Sequence, residues 1–570
     1  MEEAGAQENP SHEANSRKQS ESEICRQKSR TKVSEPRGQY ERRQKATRLE
    51  ERAVKKSALA SCRVQTIWIF GDQLSFEHVA LVNAAPETAQ VLMVESKVRG
   101  SVHRYHQIKL VLIYSAMRHV AAELRGRGWL VDYYHLDEDL TFESAARTHH
   151  EKHHPEKFLL AEPNSFFETD AITKLGRKLR VPVEFLPTAQ FLLPRAEFAA
   201  SAKDSKHLLM ENHYRRMRKR FGFLMQADGK PEGGEWNLDA ENRETFNGWR
   251  KAGRPRTQRP REKPDEITRE VIALVEREFP DHPGRAADMW LPVDRAGARR
   301  WLRRSITQRL PNFGAYEDMM AEGEPVLFHS VLTPMLNLGL LSPRECVEAA
   351  IAAYKKGDAP LNSVEGFVRQ IIGWREFING VYWLRGPDYR ELNSLGAMRP
   401  LPDWFYTGET PMNCLHNVIG QTLALGYNHH IQRLMVLGNF FLIAGIRPQE
   451  ALRWFLEMYV DAFDWVMGPN VIGMALHADG GFMATKPYAA TSTYIRKMSD
   501  YCAGCRFDPD QKTGPDACPF NYLYWDFIDR HSDRFAKNPR MRMIVNSWLK
   551  RSPPDQESVR HSAETFLAAL

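Results

Sequence analysis

Three cysteines lie within residues 501–520 of a chain that contains only seven. They are a CxxC pair, Cys502 and Cys505, and Cys518, which directly precedes a proline. A further cysteine, Cys414, lies far upstream. Several thiolates brought together bind a soft metal centre, either zinc or an iron–sulfur cluster. A 3+1 arrangement followed by proline favours a [4Fe–4S] cluster, whereas structural zinc usually takes two CxxC-like pairs. Buried cysteines without a ligand are the third interpretation.

Hydroxyl and guanidinium groups farther upstream could bind an anion. Ser330 and Thr333 come just before a predicted amphipathic helix, where hydroxyls and free N–H groups can hold a phosphate. The alternative is an ordinary helix cap. Arg375 is flanked by apolar residues on another predicted helix, and a buried arginine needs an anionic partner. Either Asp461 or a cofactor pyrophosphate could be that partner.

Composition bounds the class of protein. A chain of 570 residues is too long for one hydrophobic core, since domains average roughly 150 residues. An odd number of cysteines argues against a disulfide framework and favours a reducing bacterial cytoplasm. No stretch reaches the roughly 18 apolar residues of a membrane span, so we expect a soluble monomer. The net charge of +7 would favour a polyanion only if it were gathered on one face.

Polarity divides the chain into four parts. Residues 1–62 hold hardly an aliphatic side chain, which predicts a disordered or partly helical tail. Residues 63–194 alternate apolar runs with helical patterns, which predicts an α/β domain with a Rossmann-like parallel sheet. Residues 195–265 are interpreted as a polar connector, and residues 266–570 as an all-α domain.

The predicted strands are continuous apolar runs, as in strands covered on both faces. They span residues 66–70, 91–94, 129–134, 157–161 and 181–186. Between the second and third runs, apolar residues recur at helical spacing and predict an amphipathic helix. These residues are Leu110, Ile113, Met117, Val120 and Leu124.

Eight features in order along the chain resemble the photolyase and cryptochrome family. They are IFGDQLS, SAMRHVAAELRGRGW, MENHYRRMRKRFG, HSVLTPMLNLGLLSPRE, RQIIGWREF, GYNHHIQRLMVLGNF, PNVIGMALHADGG and the four cysteines described above. Within this family the chain looks like the iron–sulfur bacterial cryptochromes and photolyases, also called photolyase-related proteins, which include the prokaryotic (6-4) photolyases. The resemblance covers about residues 64–550 and implies the photolyase/cryptochrome fold, with a helical FAD-binding domain after the sheet domain.

The resemblance implies two cofactors in the helical domain. In this family four cysteines hold a [4Fe–4S] cluster beside a U-shaped FAD, and they match Cys414, Cys502, Cys505 and Cys518. The residues expected to flank the FAD are Tyr316, Ser330, Leu332, Thr333, Gln370, Trp374, Arg375, Asp461 and Met467. Asp461 is expected to pair with Arg375. Met467 departs from the family pattern, because photolyases usually place Asn or an acidic residue near flavin N5 and a thioether is a weak acceptor.

The implied activity is light-driven repair of (6-4) pyrimidine–pyrimidone photoproducts in UV-damaged DNA, by electron transfer from reduced FAD. Repair of this lesion also moves a hydroxyl group between bases, so we expect a histidine proton donor. His429 and His430 open a predicted helix, and the family match favours His430 as that donor. The basic run at residues 215–220 could contact phosphate. The residues expected to line the pocket for the flipped lesion are Met474, Lys486 and Tyr488.

Photoreduction in the family passes electrons along aromatic side chains, and Trp454 and Tyr406 match that pathway. Phe455 stands where a redox-active tyrosine would be more useful, so the route could pass through Tyr459, Tyr494 or Trp465 instead. Together with Met467, Phe455 keeps a second function open, a cryptochrome-like blue-light photoreceptor without repair activity. A zinc-stabilised nucleic-acid-binding protein without flavin is the third.

The resemblance also implies an antenna chromophore, 6,7-dimethyl-8-ribityllumazine, in the sheet domain. Such a ligand would lie at the carboxyl ends of the strands, the usual crevice of open α/β sheets. The residues that fit this position are Gly71, Asp72, Gln73 and Glu95. Arg99 stands where the family leads us to expect a carboxylate, and a loop without a ligand is the alternative.

Overall fold

The computed structural model describes residues 65–137, 139–203 and 208–570, and the predicted tail lies outside these ranges. The predicted parallel sheet is confirmed. Its strands are β1 (Gln65–Trp68), β2 (Ala89–Val94), β3 (Val131–Tyr134), β4 (Lys157–Ala161) and β5 (Val183–Leu186). Their order across the sheet is β3-β2-β1-β4-β5, and every neighbouring pair runs parallel.

The strands are apolar throughout because the sheet is covered on both faces. Ile67 and Val91 pair in register and belong to one hydrophobic core. The next pair, Trp68 and Leu92, belongs to a different core on the other face. Successive side chains of a strand point to opposite faces, so a strand between two helical layers shows no alternation of polarity.

Five helices lie among the strands: α1 (Val79–Val82), α2 (Lys97–Gly100), α3 (Gln107–Gly126), α4 (Phe142–His153) and α5 (Phe166–Leu179). The predicted amphipathic helix is α3, which buries Leu110, Met117 and Leu124 against the first core. It ends before Gly128, whose φ of 89° is a conformation that glycine adopts without strain. On the other face, α4 and α5 contribute Ala145 and Ile172 to the second core.

The rest of the described chain is helical. The helices are α6 (Arg195–Ala202), α7 (Met210–Phe221), α8 (Phe246–Lys251), α9 (Glu266–Glu278), α10 (Arg295–Gln308), α11 (Leu310–Phe313), α12 (Thr333–Leu338), α13 (Pro343–Lys356), α14 (Leu361–Val368), α15 (Glu376–Arg385), α16 (Asn413–Leu425), α17 (Asn439–Ala444), α18 (Pro448–Met458), α19 (Asp464–Gly468), α20 (Ser492–Met498), α21 (Pro519–Arg530), α22 (Ser532–Phe535), α23 (Arg542–Leu549) and α24 (Pro553–Ala568). Short 3₁₀ turns lie at Asp239–Glu241, Ala286–Asp288, Pro387–Glu391 and Asp403–Tyr406. Across the described ranges, no helix has the length and apolarity that crossing a bilayer requires. The domain limits at residues 194 and 265 stay predictions.

Three seven-residue segments of the helical region are π-helices: Arg369–Arg375, Gln432–Gly438 and Pro469–Ala475. The first continues α14 into α15, and the second continues into α17. π-Helices are rare and occur frequently at functional sites, because the wider turn re-aims side chains. The first of these segments carries residues predicted to flank the cofactor, and the third carries Met474, a residue predicted for the lesion pocket.

Candidate active site

The four cysteines matched to the cluster line one cavity. Cys414 lies in the first turn of α16, and Cys518 is the residue that caps α21. Cys502 and Cys505 lie in a turn after α20, closed by the N–H of Cys505 on the carbonyl of Cys502 at 3.4 Å. Three segments of the chain thus present four sulfur atoms to the same space.

The electrostatics of this cavity suit a cationic centre. Burial, and then the neighbouring thiolates, raises the pKa of Cys414 well above its usual value of 9. Burial likewise raises the pKa of Cys502 to about 11 and that of Cys518 to about 12. A bound metal reverses this penalty, since a coordinating thiol is deprotonated outright.

The structure brings the four predicted cysteines to one cavity. Whether that cavity holds a [4Fe–4S] cluster or zinc stays a prediction.

Arg375 and Asp461 do not form the predicted ion pair; that prediction is wrong. Arg375 ends the first π-helix and donates from Nη1 to the carbonyl of Gln190 at 2.9 Å. Its nearest carboxylate belongs to the adjacent Glu376, at 3.6 Å. The Nε of Arg375 is buried and has no hydrogen-bond partner within the described ranges. The guanidinium therefore keeps one buried donor for a ligand.

Asp461 pairs instead with Arg433, a residue of the second π-helix that the sequence reasoning missed. Both carboxylate oxygens accept from the guanidinium, at 2.9 and 3.1 Å. Arg433 also donates from Nε to the carbonyl of Asn428 at 2.8 Å and lies 3.9 Å above the ring of Tyr459. Burial alone would lower the pKa of Arg433, but the charge of Asp461 outweighs burial, so the pKa is raised and Arg433 is charged.

The segment around Ser330 is strained. Leu327 and Val331 are non-glycine residues with φ of 47° and 54°, in the left-handed region. Such a conformation is an outlier for a β-branched residue like Val331, and strain of this kind clusters at ligand sites. Thr333 then begins α12 without a side-chain cap on that helix. The predicted phosphate-binding loop thus has an unusual backbone next to an uncapped helix start.

The other residues predicted to flank the cofactor lie in the same helical region. Gln370 donates to Glu317 at 2.7 Å, and Trp374 packs against Phe377. The others are Tyr316, Leu332 and Met467, which are buried side chains. Tyr316 and Leu332 belong to one hydrophobic core and Met467 to another. The cofactor contacts of all these residues stay predictions.

Three histidines converge near the start of the second π-helix. The buried rings of His429 and His329 are stacked, with centroids 4.4 Å apart and planes 9° apart. Among the residues that the structure describes, neither nitrogen of His429 has a hydrogen-bond partner, and Nε2 of His329 has none. Burial lowers the pKa of both rings well below 6.5, so both are neutral at neutral pH. His329 was missed, although it directly precedes Ser330.

His430 faces outward from this stack. Its side chain is 43% exposed, and its Nε2 lies 3.7 Å from a carboxylate oxygen of Asp318. Tyr494 also forms a hydrogen bond with Asp318, so the carboxylate joins the two side chains. The ring planes of His429 and His430 lie 66° apart, and His430 is the first helical residue after His429. His430 is the member of the cluster that solvent and a large ligand can reach.

The residues predicted for the lesion pocket lie on one stretch of chain. Tyr488 is half-buried, and burial raises its pKa, with Arg540 and Asp239 as charged neighbours. Met474 is half-buried in the third π-helix, and Lys486 is exposed. Tyr488 thus supplies an aromatic face beside charged groups, while the lesion role of all three stays a prediction.

The basic helix α7 does not offer all its arginines to DNA. Arg218 is fully buried and donates to backbone carbonyls, including that of Trp236 at 2.8 Å. A phosphate contact by Arg218 is therefore wrong. Arg215 and Arg220 pair with Glu211 and Glu197. Arg218 thus holds the following loop in place, while the other basic side chains of the run are exposed: Arg215, Arg216, Lys219 and Arg220.

The aromatic residues around Trp454 are in contact. Trp454 is buried, and its ring centroid lies 5.6 Å from Phe455 and 5.8 Å from Tyr459. Tyr459 donates to the amide oxygen of Asn428 at 2.7 Å, which is not a base. Tyr406 donates to the carboxylate of Glu457 at 2.8 Å. Of these two tyrosines, only Tyr406 has a proton acceptor at hand.

Two of the four residues predicted for the antenna site line one cavity, and their antenna role stays a prediction. A cavity of about 120 Å³ lies between the ends of the strands and the helical region, and Gly71 and Asp72 line it. Glu95 does not, because its oxygens are bound by Arg118, Tyr133 and a backbone N–H. Gln73 does not either, because its amide donates to the carbonyl of Glu162 at 3.0 Å.

Charged residues also line this cavity, and the sequence reasoning missed two of them, Lys109 and Glu168. Arg99 pairs with Glu168 at 2.8 Å, so a carboxylate is present after all. Burial raises the pKa of Glu168 to about 7. Burial lowers the pKa of Lys109 to about 7, although Lys109 donates to the carbonyl of Ala462 at 2.7 Å. Such shifted groups in a cavity are typical of ligand sites.

The chain is similar to known proteins over most of its length. A (6-4) photolyase from Agrobacterium fabrum is 42% identical over 512 residues, which is 89% of this chain and 99% of the relative. An uncharacterised protein of Acanthamoeba polyphaga mimivirus is 36% identical over 114 residues, 20% of this chain and 84% of that protein. The sequence profile of the family described as Deoxyribodipyrimidine photo-lyase-related protein matches residues 67–291.

A solved structure has the same fold. The crystal structure of a bacterial class III photolyase from Agrobacterium tumefaciens superposes with a TM-score of 0.53 at 14% identity, covering 89% of this chain and 98% of that chain. The sheet, the helical region and the order of elements thus match a photolyase. With a 42% identical relative covered over nearly its whole length, the chain belongs to the photolyase-related protein family, together with a bacterial (6-4) photolyase.

Proposed function

We propose that this protein repairs (6-4) photoproducts in DNA with blue or near-UV light. The observation that carries the proposal is the histidine cluster. Two buried neutral rings lie behind one exposed ring, His430, which has Asp318 beside it. A pocket that must deliver one proton to a flipped base needs such an arrangement, and the name of the 42% identical relative supports the same lesion.

FAD is the proposed cofactor, and the residues present fit it. Arg375 holds a buried unpartnered Nε, Ser330 lies in a strained loop, and Thr333 opens an uncapped helix. Gln370, the Arg433–Asp461 pair and Met467 would surround the ring system. When bound and reduced, the flavin supplies the electron that light drives to the lesion. The protein's own task is to hold the cofactor dry and to position the lesion.

The proton chemistry belongs to His430. A carboxylate oxygen of Asp318 lies 3.7 Å from its Nε2. His429 and His329 stay neutral because they are buried, so they position His430 rather than compete with it for the proton. Tyr488 and Met474 would pack on the flipped bases, and Lys486 would meet a phosphate, with a flipping cost of a few kcal/mol.

The test is repair of a (6-4) oligonucleotide by reduced protein under blue light. His430→Ala should abolish repair while bound flavin is retained, because no other described ring of the cluster is exposed. His561→Ala, an exposed histidine on α24, is the matched control and should repair like the wild type. Full repair by His430→Ala would contradict the assignment.

A cryptochrome-like photoreceptor is the second candidate, and two residues favour it. Phe455 interrupts the aromatic route, and Met467 offers no hydrogen-bond donor to a flavin. Wild-type protein that undergoes a reversible light response but repairs neither (6-4) lesions nor cyclobutane dimers would establish this alternative.

Photoreduction is proposed to run through Trp454. Tyr406 is the proposed terminal electron donor, because Glu457 can accept the phenolic proton that Tyr406 loses when it is oxidised. Phe455→Tyr places an oxidisable phenol 5.6 Å from Trp454 and should accelerate photoreduction. Tyr406→Phe should slow it, as followed by flavin absorbance under constant illumination. Equal rates in both variants would refute this route.

A [4Fe–4S] cluster is the proposed occupant of the cysteine cavity, where it would join α16, the turn after α20 and α21. Cys414→Ala should lose bound iron and visible absorption beyond that of flavin. Cys346→Ala, at another buried cysteine, should retain both. Iron and sulfide quantitation decides, and one zinc per chain in place of iron would overturn the proposal.

6,7-Dimethyl-8-ribityllumazine is the proposed ligand of the cavity at the strand ends. Asp72 and Glu168 would accept hydrogen bonds from such a polar ring system, and Arg99 would meet its carbonyls. Asp72→Asn should reduce the amount of lumazine released on heating, while the flavin content stays unchanged. Chromatography of the released compounds measures both.

A further inference from the structure

A second set of potential metal ligands lies on the sheet domain, away from the cysteines. Asp132 is on the edge strand β3, and His149 and His153 are four residues apart on α4. One ligand atom from each side chain lies within 4.8 Å of the other two. None of these residues lines the antenna cavity or belongs to the candidate active site. The proposed repair function leaves this cluster unexplained.

The spacing suits a small transition-metal ion. Nδ1 of His149 and Nε2 of His153 lie 2.8 and 3.2 Å from the same oxygen of Asp132. In a tetrahedral zinc site with bonds of about 2.0–2.1 Å, ligand atoms lie about 3.3 Å apart. The observed distances come within about half an ångström of that value. Histidines at i and i+4 lie on one face of a helix, as such a site requires.

The surroundings hold His149 as metal ligands are usually held. Its other nitrogen, Nε2, lies 2.8 Å from the hydroxyl of Thr66 on β1. A metal-bound imidazole almost always has its second nitrogen hydrogen-bonded in this way, which fixes its orientation. The side chain of His149 is fully buried, whereas Asp132 and His153 are 18% and 23% exposed. The cluster is thus rigid on one side and reachable from solvent on the other.

We propose that Asp132, His149 and His153 bind one zinc-class divalent ion that clamps α4 to the edge strand β3, with water in the fourth position. Two imidazoles and one carboxylate are a usual ligand set for this ion. Without metal, the carboxylate receives donors from Lys152 and Tyr134 as well, each at 3.2 Å. Both side chains would move aside on binding, and Lys152 is 58% exposed and free to do so.

The test is zinc binding by the full-length protein with its cofactors in place. Dialysis against zinc, followed by elemental analysis, gives the stoichiometry, and competition with a chromogenic chelator gives the affinity. X-ray absorption at the zinc edge identifies the ligands, because nitrogen and oxygen lie at about 2.0–2.1 Å and sulfur at about 2.3 Å. Zinc that replaces iron at the cysteines is thereby told apart from zinc on α4.

His153→Ala and Asp132→Asn should each weaken binding by at least about tenfold. His154→Ala removes a neighbouring exposed histidine and should bind like the wild type. Circular dichroism checks that each variant is folded. Wild type without micromolar zinc binding, a sulfur-only shell, or equal losses in His153→Ala and His154→Ala would each overturn the proposal.

Discussion

The Arg433–Asp461 pair provides a quantitative test of the candidate site. In Asp461→Asn the side chain keeps its shape, but Arg433 loses its counter-ion. The side chains are only 15% and 6% exposed, so water cannot replace the lost charge. Removing one partner of such a buried pair costs about 3–5 kcal/mol of unfolding free energy. The carbonyl of Asp461, which accepts from Asn337 at 2.9 Å, is unchanged by the substitution.

Urea unfolding of the flavin-saturated protein, followed by circular dichroism, measures this loss. The control is Glu324→Gln, which breaks a 2.9 Å pair with Arg256 whose side chain is 59% exposed. Exposed pairs contribute less than about 1 kcal/mol, so the control should barely move the midpoint. Asp461→Asn should move it several times farther at an unchanged m value. Equal shifts in the two variants would refute the claim that Arg433 is desolvated and dependent on Asp461.

Four further substitutions give expected changes in stability. Burial lowers the pKa of Lys109 to about 7 in the folded state, so between pH 7 and 10 the unfolded chain binds one more proton than the folded chain. The free energy of unfolding should therefore rise with pH in this range. Lys109→Met should remove up to about 1.4 kcal/mol per pH unit of that rise, as measured by urea titrations. Glu168 has a raised folded-state pKa of about 7, so its contribution is present below pH 4.5 and lost as pH rises through 7; Glu168→Gln should flatten that fall, and an unchanged profile would contradict it. Gly380→Ala would put a methyl 2.2 Å from the ring of Phe198 and should lower stability by about 1–3 kcal/mol. The added methyl of Gly420→Ala would meet no described atom within 4 Å, and this substitution should raise stability by about 0.5–1 kcal/mol. Thermal unfolding of both glycine variants measures these changes.

The fold was predictable because its signals are local. Each strand is a short apolar run, and burial on both faces leaves that run without polar gaps, as β2 shows. The helix α3 was visible from its 3.6-residue period and its glycine end. Such patterns need no knowledge of which distant segments meet. Part of the cysteine cavity was predictable from a local signal too, because CxxC spacing places Cys502 and Cys505 within one turn.

The contacts of the candidate site were predicted less well because they join distant segments. Arg375 and Arg433 both lie on π-helices, and sequence alone does not tell which of them Asp461 reaches. His329 stacks on a ring one hundred positions away, and Glu168 meets Arg99 from another helix. No periodicity records such pairings.

The directions of the side chains explain why Gln73 and Glu95 do not line the cavity at the strand ends. Gln73 adjoins Asp72 in sequence, but the two side chains point to different partners, Glu162 and Asn164. Glu95 follows β2 directly and turns toward Arg118 instead of the cavity. A prediction made by position along a strand end finds the right edge of the sheet, but it cannot say which neighbour on that edge faces the ligand.

The distribution of charge gives the candidate site its division of labour. Deep in the helical region, Arg433 and Asp461 cancel, and His329 and His429 are neutral because burial disfavours their charged forms. Proton transfer from that depth would cost the desolvation of a new charge. His430 avoids this cost, since it is 43% exposed and has Asp318 beside it. Electron donation would therefore take place deep in the pocket and proton donation near its surface. A substitution that buries His430 should remove proton donation and leave electron donation intact.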